Sequence, residues 1–196
     1  MAFLLLKLAR PIQWIKNGVV LAPLIFAGQF GESAQVKIAL AAVAVFCILS
    51  SSVYIFNDIF DRESDRQHPL KKHRPLASRD VSVVTASILA SFLFAIAMTA
   101  AFIIRFELGM IALLFVAVNF LYSWWLKHIV ILDVMSISAS FAIRAYAGAI
   151  AIDVPASKWM IISALLLALF LALGKRRHEL VILEDNATKH RRSLLK

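Results

Sequence analysis

Asp58, Asp61 and Asp65 stand in the run Asn57-Asp58-Ile59-Phe60-Asp61-Arg62-Glu63-Ser64-Asp65, at offsets of 0, 3 and 7. On a helix these spacings put three carboxylates within about 60° of one face, with neighbours roughly 5–6 Å apart. Like charges that close repel, and a divalent cation between them relieves the repulsion. Mg²⁺ suits such a set because it takes carboxylate oxygens together with a substrate's phosphate oxygens. On ligand type alone Mn²⁺ suits it equally. A solvated acidic helix face is the commoner meaning of such a pattern. Here a dense basic run follows, and Arg66, Lys71, Lys72 and Arg74 can hold the phosphates that a metal leaves uncovered. The alternative for each of these four is simple anchoring of a cytoplasmic loop.

Two further constellations carry charge. Asp133, Ser136, Ser140 and Arg144 fall at offsets of 0, 3, 7 and 11 and form one polar stripe in an apolar segment. An ionisable residue inside a span is a functional candidate by default. The stripe is expected to face the bundle interior, lining a phosphate or headgroup pocket or forming a hydrogen-bond seam between helices. Asp133 and Arg144 are about 16 Å apart along a helix axis, so each needs another partner. Further on, Lys175-Arg176-Arg177-His178-Glu179 places Lys175 and Glu179 on one helix face. The functional reading is a second phosphate and metal arm; the alternative is a surface ion pair worth little. His68, His73 and His128 lack a partner histidine at metal-ligand spacing and are expected at the surface.

The elements that position these residues follow from composition. The chain has 196 residues, 61% hydrophobic and 17% charged. A soluble domain is about 45–50% apolar and about 25% charged. The excess cannot fit inside one small core, so a water-soluble enzyme is excluded and the bilayer is the solvent. The formal net charge of +9 then points to anionic lipid headgroups and phosphate-bearing substrates rather than nucleic acid. The lone Cys47 excludes an internal disulfide and any Cys-based zinc site.

Apolar runs predict an all-α, polytopic transmembrane helical bundle forming a single membrane domain over residues 1–196. Six spans are expected, at about 12–30, 36–56, 81–104, 108–126, 129–152 and 159–174. The first is weak because Lys16 and Asn17 interrupt it. An amphipathic helix precedes it. Between spans two and three, the loop 57–80 holds eleven charged residues. Basic residues crowd the termini, this loop, Lys127 and the tail 175–196, whereas the opposite ends carry only Lys37, Arg105 and Lys158. The positive-inside rule then puts both termini and the loops after spans two and four in the cytoplasm, as expected of a bacterial inner-membrane protein.

These residues resemble the UbiA superfamily of intramembrane prenyltransferases. The first match is Asn57-Asp58-x-x-Asp61-x-x-x-Asp65 at the end of a span, the family's Asp-rich motif. Within the family the chain is most similar to the polyprenyl-phosphate phosphoribosyltransferases, the decaprenyl-phosphate type. The residues suggesting this begin with Arg10-Pro11-x-Gln13-Trp14-x-Lys16-Asn17 and His68-Pro69-x-Lys71-x-x-Arg74-Pro75. They continue with Tyr122-Ser123-x-x-Leu126-Lys127, Asp133, Phe141-x-x-Arg144-x-x-x-Gly148 and Gly174-Lys175-Arg176-Arg177-x-Glu179-Leu180. The similarity runs over essentially the whole chain.

The resemblance implies that 5-phosphoribosyl diphosphate donates phosphoribose to a polyprenyl phosphate. It gives Asp58, Asp61 and Asp65 the Mg²⁺–diphosphate role. Glu179 falls at the second acidic motif, completing the catalytic set. Lys16, Asn17, Asn57, Arg66, Lys71, Arg74, Lys127, Arg144, Lys175 and Arg176 are the expected phosphate-binding residues. Relatives have about nine spans, so the last third is expected to be missing here. Two other functions remain open at this point. One is prenyl transfer from a prenyl diphosphate to an aromatic or lipophilic acceptor. The other is an inactive six-span fragment or scaffold.

Overall fold

The computed structural model describes residues 2–69 and 71–194; the side chains of residues 2, 128, 130, 175 and 178–194 lie outside the described set. Most of the described residues are helical, and none of them lies in a strand. Helix α1 covers Ala2–Ala9. A 3₁₀ segment, Pro11–Leu21, and the short α2, Ala22–Phe26, follow. Then come α3 (Ser33–Gln67), α4 (Val83–Ile104), α5 (Phe106–Trp124), α6 (Val130–Ala151) and α7 (Lys158–Leu194).

Helices α3, α4, α5 and most of α6 are long and apolar enough to cross a membrane. The first and sixth expected spans are not among them. In the first, Arg10 takes a left-handed backbone with φ 50° and Pro11 starts a tighter helix. Gly28, with φ 67°, then turns the chain again before a short 3₁₀ turn at Gln29–Gly31. Apolar composition is present over 12–30, but no continuous α-helix forms. At the sixth, the apolar stretch Lys158–Gly174 is shorter than a full span, and the helix runs on into the basic segment.

Helix α3 is the axis of the fold. It packs on α4 and the 3₁₀ segment, and α6 packs on α5, α7 and the same segment. The core joins Phe46, Leu49 and Val53 of α3 to Ala97 and Ala101 of α4, Ala112 and Phe115 of α5, and Ala147 and Ala151 of α6. Alanines let these helices approach closely, where lipid offers no hydrophobic drive to associate. Gly148 is a point of contact: a Cβ there would lie 2.0 Å from the Val20 carbonyl oxygen. The 3₁₀ segment thus presses its backbone directly against α6.

The outer surface is apolar. Ile88 and Phe92 of α4, Leu113 and Leu114 of α5, and Leu166, Leu167 and Phe170 of α7 are exposed. Such a shell belongs in hydrocarbon rather than water, and the chain is an integral membrane protein.

Candidate active site

The apolar run of α3 ends near Phe56, but the helix continues to Gln67 and carries the three acids on one face. It gains its terminal support from the segment beyond it. Arg66 donates through Nε to the Ala77 carbonyl (3.2 Å) and through Nη1 to Glu63 (2.6 Å). The three acids have different surroundings. Asp58 is 3% exposed and accepts from Arg10 Nη2 and, at 3.1 Å, from Arg74 Nη1. Asp65 is as deeply buried and accepts from the same Arg74 Nη1 at 2.6 Å. Asp61 is the open one, with its side chain 32% exposed and held by Lys127.

A cavity of about 910 Å³ lies between the ends of α3 and α5. One side is ionic, formed by Asp61, Ser64, Asp65, Lys71 and Lys127. The other is apolar, formed by Phe60, Ala117, Phe120, Leu121 and Trp124. Phe120 packs against Phe56 and Phe60, with ring centroids 5.6 and 6.2 Å away. Asp61 and Asp65, one helical turn apart, are the two triad acids on the cavity wall; Asp58 lies behind it. Two carboxylates with room for water and phosphate oxygens form a donor set of the kind Mg²⁺ takes. Among the described residues no three carboxylate, histidine or cysteine side chains converge as a ready-made metal group.

Of the expected phosphate-binding residues, the structure brings Lys71 and Lys127 to the cavity, and Arg74 to its edge through Asp65. Arg66 is spent on the loop. Lys16 is exposed, Asn57 is half-buried, and neither lines the cavity. Arg176 binds Asp133 instead, its Nε donating at 2.8 Å. The side chains of Lys175 and Glu179 lie outside the described set.

The polar stripe of α6 does face the interior, but it divides into two unconnected parts. Asp133, 1% exposed, accepts from Tyr122 Oη (2.9 Å) and from Arg176, so it joins α5 to α7. Arg144 is 3% exposed and donates to Asn17 Oδ1 (2.8 Å) and Ser140 Oγ (2.9 Å). Its guanidinium lies over the Phe115 and Phe141 rings, 4.5 and 5.4 Å from their centroids. Arg144 and Asn17 therefore form a sealed core pair away from the cavity, since a guanidinium on α6 satisfies the polar break in the 3₁₀ segment. Neither part of the stripe lines the cavity, and the contacts follow the alternative of a hydrogen-bond seam between helices.

Sequence reasoning gave no role to Arg10, Tyr122 or the aromatic wall. A buried carboxylate needs a cation, and Arg10 is the one basic residue directly before Pro11 in an otherwise apolar run. That signal was available. Tyr122 stands in one of the quoted family matches, but nothing in the sequence pairs it with Asp133, which lies across the α5–α6 turn.

The fold and cavity define a helical membrane protein in which an ionic pocket adjoins an aromatic, lipid-compatible wall. The chain belongs to the UbiA prenyltransferase family, which matches residues 19–194. It is 39% identical over 194 residues to the decaprenyl-phosphate phosphoribosyltransferase of Mycolicibacterium smegmatis, covering 97% of this chain and 61% of that protein. The enzyme of the same name from Corynebacterium glutamicum is 34% identical over 195 residues, covering 97% and 58%. The nodulation protein NoeC of Azorhizobium caulinodans is 33% identical over 171 residues, covering 87% and 55%. The chain thus spans 58–64% of the length of the phosphoribosyltransferases it matches.

Proposed function

We propose that this protein transfers 5-phosphoribose from phosphoribosyl diphosphate to a polyprenyl phosphate at the cytoplasmic membrane face, with both termini cytoplasmic. The observation that carries the reading is the single cavity in which Asp61, Asp65, Lys71 and Lys127 face Phe60, Phe120 and Trp124. A water-soluble diphosphate and a lipid tail meet in such a space. The names of the similar enzymes support this choice of substrates.

In the reaction, the bond from ribose C1 to the pyrophosphate oxygen breaks and the leaving group takes the electron pair. A phosphate oxygen of the lipid forms the new bond to C1. The lipid phosphate is already ionised, so the site needs no general base. Mg²⁺, held by Asp61 and Asp65, would neutralise charge on the departing pyrophosphate. Lys71 and Lys127 supply fixed positive charge beside the leaving group. Phe60, Phe120 and Trp124 hold the first isoprenoid units and keep water from C1.

The test uses membranes containing the chain, phosphoribosyl diphosphate labelled in its 5-phosphate, a polyprenyl phosphate and Mg²⁺. Label is expected in the organic phase, and EDTA is expected to abolish it. Label transfer that fails with phosphoribosyl diphosphate but succeeds with a labelled prenyl diphosphate and an aromatic acceptor would overturn the choice of donor.

A further inference from the structure

We propose that Asp58 is a positioning residue rather than a third metal ligand, and that Asp58 and Arg10 together set Arg74 at the cavity rim to receive the donor's phosphate. The inference rests on the function proposed above and divides the acid triad into two roles.

The burial comes first. Asp58 is sealed behind the cavity wall, and one of its oxygens, Oδ1, accepts from both Arg10 and Arg74. A cation entering from the cavity meets Asp61 and Asp65 before it meets Asp58. To reach Asp58 it would have to displace two guanidiniums from a carboxylate buried among protein atoms, where such pairs are hard to break one at a time.

The second observation is how firmly Arg10 is held. Its φ of 50° is a left-handed conformation that disfavours any residue with a Cβ. The chain on both sides is tied to α3. Ser51 Oγ donates to the Ala9 carbonyl at 2.8 Å, and Trp14 Nε1 donates to Ser51 Oγ at 2.9 Å. The guanidinium lies 5.6 Å from the Tyr54 ring centroid. Leu8, fully buried, packs α1 onto Ile55, Leu76 and Val81. Strain at a position fixed by several contacts is a mark of a residue held for a purpose.

The third is what the pair leaves for Arg74. This side chain bridges Asp58 and Asp65 through one nitrogen, Nη1. When a cation takes Asp65, Asp58 is the carboxylate that keeps Arg74 in place. The Arg74 side chain is 27% exposed, and its remaining donors would then be offered to phosphate oxygens. Arg10 shares the charge of Asp58, so that Asp58 does not draw Arg74 away from the rim.

The experiment uses the purified chain in lipid nanodiscs. Mn²⁺ binding is followed by electron paramagnetic resonance with inorganic pyrophosphate present, and initial rates are followed with phosphoribosyl diphosphate. Asp61→Asn is expected to lose bound Mn²⁺. Asp58→Asn is expected to keep it within about threefold of the unsubstituted chain, while KM for the donor rises about tenfold, the effect of one lost charge-assisted hydrogen bond. Arg10→Gln is expected to show the same split, and Arg10→Lys to restore part of the donor KM. The double variant is expected to be no worse than either single one.

Loss of Mn²⁺ by Asp58→Asn to the extent seen in Asp61→Asn would overturn the positioning role and leave the proposed function standing. If Asp58→Asn fails to fold, Arg10→Gln decides alone. Tighter Mn²⁺ binding there, or an unchanged donor KM, would count against the inference, because a freed Asp58 would then be acting as a ligand or as nothing. Absence of both Mn²⁺ binding and label transfer in the unsubstituted chain would sink the function, and the positioning role with it.

Discussion

The ammonium of Lys127 donates to Oδ1 of Asp61 across 66 positions of sequence, joining the end of α3 to the turn after α5 at the most open acid of the site. A metal ion that binds Asp61 must compete with this internal cation. Lys127→Met is therefore expected to tighten Mn²⁺ binding several-fold while turnover falls about tenfold or more, since the fixed charge beside the leaving group is gone. Paired metal-binding and rate measurements check the opposed directions. If both fall together, Lys127 does not compete with the metal.

Asp61→Asn and Asp65→Asn should each abolish turnover. The variant at the partly exposed Asp61 should still insert and melt near the usual temperature, whereas loss of the pair between buried Asp65 and Arg74 should lower that temperature. Lys127, the partner of Asp61, lines the cavity and can be solvated when the carboxylate is gone. Chelation of divalent ions should produce the same loss, reversed by excess Mg²⁺. Undiminished activity of Asp61→Asn would remove the metal role from this acid.

The aromatic wall should act on the lipid alone. Trp124 is 83% exposed and lines the cavity, so it can contact a tail without supporting the fold. Trp124→Ala is expected to raise KM for polyprenyl phosphate about tenfold, in keeping with the loss of one large aromatic contact. The KM for phosphoribosyl diphosphate should stay unchanged. A matching rise in donor KM would show that the wall does not separate the two substrates.

The sealed pair in the core gives a stability prediction. Asn17→Ala leaves the buried Arg144 short of an acceptor and should cost about 1.5–3 kcal/mol. Arg144→Met removes the charge together with its need for a partner and should cost less. In the double variant the Asn17→Ala penalty should largely disappear. Equilibrium unfolding in mixed micelles measures all three.

Gly148→Ala forces a methyl group against the Val20 carbonyl, which α6 cannot accommodate without moving the 3₁₀ segment. A loss of about 1–3 kcal/mol is expected, typical of overpacking. The same unfolding measurement applies, and a neutral result would mean that the segment yields easily.

Much of this architecture was legible in the chain itself. The spacing of Asp58, Asp61 and Asp65 makes sense only on a helix, and α3 does continue through them. The stripe of α6 turns inward, as ionisable groups in lipid must. Where the helices differ from the expected spans, the reason is that apolar content says where hydrocarbon contact is possible, not which backbone conformation meets it. Over 12–30 the composition is that of a span, yet the segment is a 3₁₀ helix, the short α2 and, past the turn at Gly28, a second 3₁₀ turn. Side-chain partnerships were harder still. Arg144 and Asn17 are 127 positions apart, and no periodicity connects them. Asp133 and Arg176 meet only because α6 and α7 pack together.

The uninterrupted length of α3 acts as a ruler set against the bilayer. Its 35 residues span about 52 Å, well beyond a hydrocarbon layer of about 30 Å. If the hydrocarbon boundary is taken at Phe56, Asp61 stands about 8 Å above it and Asp65 about 14 Å above it. A lipid phosphate resides at a comparable height, in and just above the headgroup zone. On the proposed function, a polyprenyl phosphate acceptor would stay seated in its own leaflet with only its head entering the cavity, and the number of isoprene units trailing below would be a matter for the membrane rather than for the site.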